Sequence, residues 1–180
     1  MHEDVELLRR WQGGDEAAAR TLIERHQAVL LRFLGASAPN AADDLLQELW
    51  IACVRNHEQL VLTSSFRAYA LGIARNLVLV YWRTHARRGE PLDFDAVTLD
   101  NLEPSPSQVF AHDEQTRRLV AALRQLPLEQ QLLLQLFYWG ELSGSELARA
   151  LGVPEGTVRG RLRAAKAALA QILGADPVAR

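Results

Sequence analysis

The sequence is short of the residues that cross-link chains, hold metals or span membranes. Cys53 is the one cysteine among 180 residues, so no disulfide can form within the chain and a cysteine-rich zinc site is excluded. Five histidines (His2, His26, His57, His85 and His112) are scattered without metal-ligand spacing. No apolar run approaches about 18 residues, which argues against a membrane-spanning helix. The charged start MHEDVELLRRW has no signal-peptide core, and the protein is expected to stay in the cytoplasm. A glycine-rich phosphate loop and a Ser/His/Asp constellation are both missing, so neither enzymatic activity nor a metal or other cofactor is expected. No alternating strand pattern bounded by hairpin turns occurs, and there is no repeat or low-complexity run.

What remains is a chain with 48% hydrophobic residues, which suits one ordinary folded domain or two small ones. The formal net charge of −2 hides a segregation. Residues 1–88 carry 11 basic and 10 acidic side chains, residues 89–115 carry none and 7, and residues 116–180 carry 9 and 5. The middle stretch, GEPLDFDAVTLDNLEPSPSQVFAHDEQ, also holds Pro91, Pro104 and Pro106, which interrupt helices. It is expected to be an acidic, extended linker between two helical domains, 1–88 and 116–180. The fold class predicted is all-α.

In the first domain, two helical segments break at Gly13-Gly14, with Ala18, Leu22, Ile23, Leu30 and Phe33 near helical spacing in the second. NAADDLLQELWIACVRN predicts a third helix and SSFRAYALGIARNLVLVYWRTHARR a long fourth. In the second domain, HDEQTRRLVAALRQL and PLEQQLLLQLFYWG precede a closely spaced pair of helices, LSGSELARALGVPEGTVRGRLRAAKAAL. Ser143 and Glu146 have capping-box spacing, Gly152 permits a left-handed helix end, and Pro154 suits the first turn of the next helix. Val158, Leu162, Ala165 and Leu169 then share one face. Glu155, Thr157, Arg159, Arg161, Arg163 and Lys166 fall off that face. Such a pattern is a helix-turn-helix, whose second helix enters the DNA major groove. Arg159 is placed to read guanine bidentately, and Arg161, Arg163 and Lys166 to meet phosphates. The alternative for this helix is an amphipathic segment with a solvated basic face.

Two faces of the first domain need other partners. Asp44, Gln47 and Glu48 share one helix face beside Leu45, Leu46, Leu49 and Cys53; acid there suits a basic protein partner rather than DNA, unless it is a solvated polar face. In the fourth helix, Phe66, Ala70, Ile73, Leu77 and Val80 are expected to form the core stripe. Arg75, Asn76, Trp82, Arg83, Arg87 and Arg88 cannot all be core. Basic groups interleaved with aromatics suit unpaired nucleic acid, through charge on phosphates and rings on bases; aromatic packing plus a solvated basic end is the other reading of Trp82.

AADDLLQELW, FRAYALGIARN and LPLEQQLLLQLFYWGELSGSELARALGVPEGTVRGRLRAAKAAL, in this order around an acidic linker, resemble regions 2 and 4 of bacterial extracytoplasmic-function (ECF) sigma factors, over about Asp4 to Leu173. The resemblance implies a first domain that binds the clamp helices of core RNA polymerase and captures the −10 element as a single strand. It implies a second domain that reads the −35 duplex, and a linker threading toward the polymerase active site. By position, Asp44, Gln47 and Glu48 match the clamp-binding motif. The loop from His57 through Ser64 to Ser65 matches the segment holding a flipped −10 base, and Arg75 and Asn76 flank the melted strand, with Trp82 and Arg83 beyond. Expected partners are core polymerase, promoter DNA and an anti-sigma factor, with a monomer when free and no membrane insertion. A free-standing helix-turn-helix regulator accounts for the second domain but not for the acidic face.

Overall fold

The structure, a computed structural model, describes residues 2–61, 65–87 and 114–175. Among them the chain forms eight α-helices and no strand: α1 (His2–Gln12), α2 (Glu16–Ser37), α3 (Ala42–Asn56), α4 (Phe66–Arg87), α5 (Glu114–Arg124), α6 (Leu128–Tyr138), α7 (Gly144–Leu151) and α8 (Glu155–Ala175). Ser64 and most of the acidic stretch 89–115 lie outside the described residues; its last two residues, Glu114 and Gln115, open α5.

The expected break between α1 and α2 is built from local chemistry. Gly14 takes φ 91°, a left-handed value that suits glycine. Asp15 then caps α2, its Oδ1 accepting from the backbone N–H groups of Ala17 at 3.0 Å and Ala18 at 3.1 Å. Arg10 clamps the other carboxylate oxygen at 2.6 Å, and this hydrogen bond leads the causes that hold the Asp15 pKa below its ordinary value.

The first-half core is assembled from Leu22, Leu30, Phe33 and Leu34 of α2, Leu45, Leu49 and Cys53 of α3, and Phe66, Ala70, Ala74 and Val78 of α4. Cys53 is a packing residue, 1% exposed; burial pushes its thiol pKa up to about 12, which removes the reactive thiolate. The same cluster continues into Leu132, Leu133 and Leu136 of α6 and Leu147 of α7. A smaller second cluster, centred on Leu126, Leu134 and Ala165, ties α5 and α6 to α8.

One polar group is built into the first half. His26, 3% exposed, meets Asp4 at 3.0 Å through Nε2, while Arg25 donates to the other Asp4 oxygen at 2.8 Å. The ring tilts against Phe66, and His26 Nδ1 is buried without a partner. Burial pushes the His26 pKa below its ordinary value; Asp4 pulls upward, and Arg67 and Arg25 push down. The imidazole is therefore held neutral, with Nε2–H donating to Asp4.

A histidine with a depressed folded pKa binds fewer protons folded than unfolded once the pH drops below its unfolded value. Stability then falls with falling pH, by at most about 1.4 kcal/mol per pH unit for one group. Urea unfolding measured between pH 7.5 and pH 5.5 is expected to show this loss in the wild type and a flatter profile in His26→Gln. Equal slopes in the two proteins would remove His26 as the cause.

Candidate nucleic-acid interface

The second half presents its two-helix unit as the spacing predicted. Ser143 Oγ accepts from Glu146 N–H, and the Glu146 carboxylate accepts from Ser143 N–H at 2.9 Å, closing the capping box. Gly152 ends α7 with φ 66°, and the Pro154 carbonyl accepts from Thr157 at 2.9 Å and Val158 at 3.2 Å to start α8. Val158 and Ala165 are buried, with Leu162 and Leu169 half-buried beside them. Glu155, Thr157, Arg159, Arg161, Arg163 and Lys166 are all exposed. Arg159 Nη2 stands 3.5 Å from Glu155 Oε1, an exposed pair of little energetic weight whose guanidinium stays available. The Lys166 ammonium sits 4.2 Å over the Phe137 ring and 5.2 Å from Tyr138, so two aromatics of α6 orient it by cation–π attraction. That support was not read from the sequence, because it joins helices distant along the chain.

On α3 the residues Asp44, Gln47 and Glu48 are exposed together, while Leu45, Leu46, Leu49 and Cys53 turn inward. The outward face continues into Ile51 and Val54, 49% and 51% exposed. Ile51 lies seven residues after Asp44 and three after Glu48, so helical periodicity alone could have placed it there.

Along α4 the expected −10 residues separate. Asn76, Val80, Arg83 and Thr84 are exposed at i, i+4, i+7 and i+8. Arg75 is half-buried; burial pushes its pKa down, against the pull of Glu129, with Arg161 and Arg83 adding to the depression. It donates to Asn76 Oδ1 at 3.2 Å. His57 stacks on Trp11 with ring centroids 4.5 Å apart, and Gln12 donates to the His57 and Leu60 carbonyls at 2.8 and 2.9 Å, pinning that loop to α1. Ser65 caps α4 by accepting from Ala68 N–H at 3.2 Å and donates to Glu146 Oε1 at 2.5 Å.

The placement of Trp82 as an outward stacking surface is corrected. Trp82 is 8% exposed, and its indole N–H donates to the Ser37 carbonyl at 2.8 Å; Val80, expected in the core stripe, is 58% exposed. One line of buried residues on α4 steps by four, through Phe66, Ala70, Ala74, Val78 and Trp82. Each step of four drifts about 40° around a helix, so the buried line winds until Trp82 lies beneath the end of α2.

The Sigma-70 region 2 family profile matches residues 22–88, and the Sigma-70, region 4 profile matches residues 116–169. The chain is an ECF sigma factor of the sigma-70 family. It is similar to the ECF RNA polymerase sigma-E factor of Escherichia coli (strain K12), 26% identical over 175 residues covering 92% of each chain. It is similar also to the ECF RNA polymerase sigma factor BldN of Streptomyces coelicolor, 27% identical over 177 residues, 96% of this chain and 66% of that one. Two solved structures share the fold. CnrH in complex with the cytosolic domain of CnrY has a TM-score of 0.70 at 21% identity, over 97% of this chain and 99% of that chain. The sigma factor RpoE in complex with the anti-sigma factor NepR from Bartonella quintana has a TM-score of 0.66 at 22% identity, over 87% and 97%. Among the described residues of this sigma factor, no helix is long and apolar enough to cross a membrane.

The burial of Trp82 generates a test without DNA. Trp82→Ala is expected to cost about 3–5 kcal/mol of stability by emptying core volume. Trp82→Phe is expected to cost about 1–3 kcal/mol, because the buried Ser37 carbonyl is left without its donor, and Arg83→Ala close to nothing. Chemical unfolding followed by circular dichroism measures all three; a fully stable Trp82→Ala would contradict the buried placement.

Proposed function

We propose that this sigma factor binds core RNA polymerase through the outward face of α3, captures the unpaired −10 strand along α4, and reads the −35 duplex with α8. The observation that carries this reading is the sorting of charge by helix. The α3 face offers Asp44, Gln47 and Glu48 followed by Ile51 and Val54, all exposed, a surface suited to a basic and partly apolar protein. The exposed side of α8 offers Arg159, Arg161 and Arg163, a surface suited to a duplex. On α4, Asn76 and Arg83 are exposed toward a strand, while Trp82 supports the helix from beneath rather than stacking on bases. The protein acts in the cytoplasm as a monomeric initiation factor, with no catalysis of its own and no cofactor. The crystallisation of the neighbour RpoE with an anti-sigma factor supports an anti-sigma partner here as well.

Run-off transcription with core polymerase on a genomic fragment library tests the reading, with discrete start sites dependent on this chain as the expected result. Duplex binding by the isolated chain with no polymerase-dependent transcript would favour a free-standing regulator.

Glu48→Lys reverses charge at an exposed position, so it is expected to weaken polymerase binding at least tenfold in a pull-down or titration while leaving the circular dichroism spectrum unchanged. Unfolding of that variant would mean the residue is structural. On DNA, Arg159→Ala is expected to lose about 1–3 kcal/mol and to relax preference at one −35 base pair. Arg163→Ala should weaken all sequences evenly and lower the salt slope by about one. Indistinguishable losses across a panel of −35 variants would contradict that division.

A further inference from the structure

The cation at Lys166 is seated by a helix other than its own. Leu126, Leu134 and Ala165 form the small core that fixes α6 against α8. Tyr138 follows Leu134 by one turn of α6, and Lys166 follows Ala165 by one residue of α8, so this packing sets the two side by side. The Lys166 ammonium rests 4.2 Å over the Phe137 ring and 5.2 Å from the Tyr138 ring, within the range of cation–π attraction. The two rings meet edge to face, with centroids 4.9 Å apart and planes at 83°. Phe137 is half-buried, whereas Tyr138 is 57% exposed. Phe137 is thus the floor beneath the cation, and Tyr138 stands at the open edge of the seat.

The position of this seat along α8 gives it a target. Residues seven apart on a helix differ by about 20° around the axis and about 10 Å along it. Lys166 therefore lies almost in line with Arg159, two turns further on, with Arg163 between them, and all three are exposed. The major groove is about 12 Å wide, so a helix whose first turn reaches base edges has climbed, two turns later, to the phosphates that line the groove. There a lysine supplies a point charge, and a tyrosine hydroxyl supplies a neutral donor to a phosphate oxygen. The cations continue the face that suits a duplex, which favours a phosphodiester over an acidic peptide. Tyr138 belongs to α6, outside the α7–α8 pair, and comes beside Lys166 only through the fold.

We propose that Tyr138 is a further DNA-contacting residue, whose hydroxyl donates to the phosphate that Lys166 neutralises, so that α6 and α8 share one backbone phosphate at the edge of the −35 element. This rests on the reading of α8 as the −35 helix, and the test separates the two. The full chain is assembled with core polymerase, and its binding to promoter duplexes is titrated at several salt concentrations and across −35 variants. Tyr138→Phe keeps the ring beside Lys166 and removes only the hydroxyl. It is expected to weaken binding roughly tenfold, the size of one hydrogen bond to a charged group, by the same factor on every −35 variant. Its salt slope should match wild type, because a neutral donor releases no counterion. Lys166→Gln is expected to weaken binding and to lower the salt slope by about one. The double variant should lose less than the product of the two single losses, because both groups hold one phosphate. Both side chains are exposed, so circular dichroism and unfolding midpoints are expected to match wild type. Wild-type affinity in Tyr138→Phe, a loss confined to some −35 sequences, a lowered salt slope, multiplying losses in the double variant or a destabilised fold each overturns the shared phosphate. Weaker assembly with polymerase in place of weaker DNA binding overturns it too, and makes this face a protein contact. A wild-type holoenzyme indifferent to the −35 sequence overturns the reading of α8, and the shared phosphate with it.

Discussion

The packing of α4 between two sets of neighbours sets the positions of the other functional surfaces. Phe66, Ala70, Ala74 and Val78 are buried in the first-half core, while Leu71 and Gly72 meet Gly140 and Ala150 of the second half. A helix packed on one side would let its remaining surface face solvent. Here the small residues at the crossing bring α7 so close that side chains near the helix start, Ser65 and Arg67, become polar contacts between the halves. Only the last turns, from Asn76 onward, keep an outward face wide enough for a ligand.

Hydrogen bonds reinforce that packing at places where apolar burial alone would leave polar groups unsatisfied. The Trp82 indole and the Ser37 carbonyl meet under α2, and the Ser37 hydroxyl reaches Gln135, so one residue at the end of α2 ties together α4 and α6. Glu146 closes its own capping box and accepts from Ser65 as well. Burial pushes the Glu146 pKa up, but the hydrogen bonds from Ser65 and Ser143 hold it below its ordinary value. The carboxylate thus stays charged where it caps α7 and meets the start of α4. A buried acceptor left without its donor costs about 1–3 kcal/mol, which makes these contacts sensitive to any loss of register between the halves.

The chemistry of recognition is distributed by helix rather than gathered in a cleft. α3 carries acid and α8 carries arginine, so the small net charge of −2 describes neither surface. This separation lets one small protein meet a basic protein surface and an acidic polymer without each face repelling the other's partner.

Much of this was legible in the sequence because it depends on local rules. The Gly13-Gly14 break, the Ser143–Glu146 capping box, the left-handed Gly152 and the inward line Val158, Leu162, Ala165 and Leu169 follow from backbone conformation and helical period, which a few neighbouring residues fix. The exposure of Asp44, Gln47 and Glu48 follows from the same period. The exchange of Trp82 and Val80 does not, because a long helix that winds between two partners has no single buried side, and which aromatic is covered depends on where the end of α2 lies. The engagement of Ser65 by Glu146, the seat of Lys166 over Phe137, and the crossing at Gly72 likewise join residues far apart in the chain. The sequence by itself determined the helices, their caps and the sign of charge each could display. Only the tertiary structure decided which of those side chains remain open to a ligand, because exposure is set by what packs against a helix and not by the helix alone.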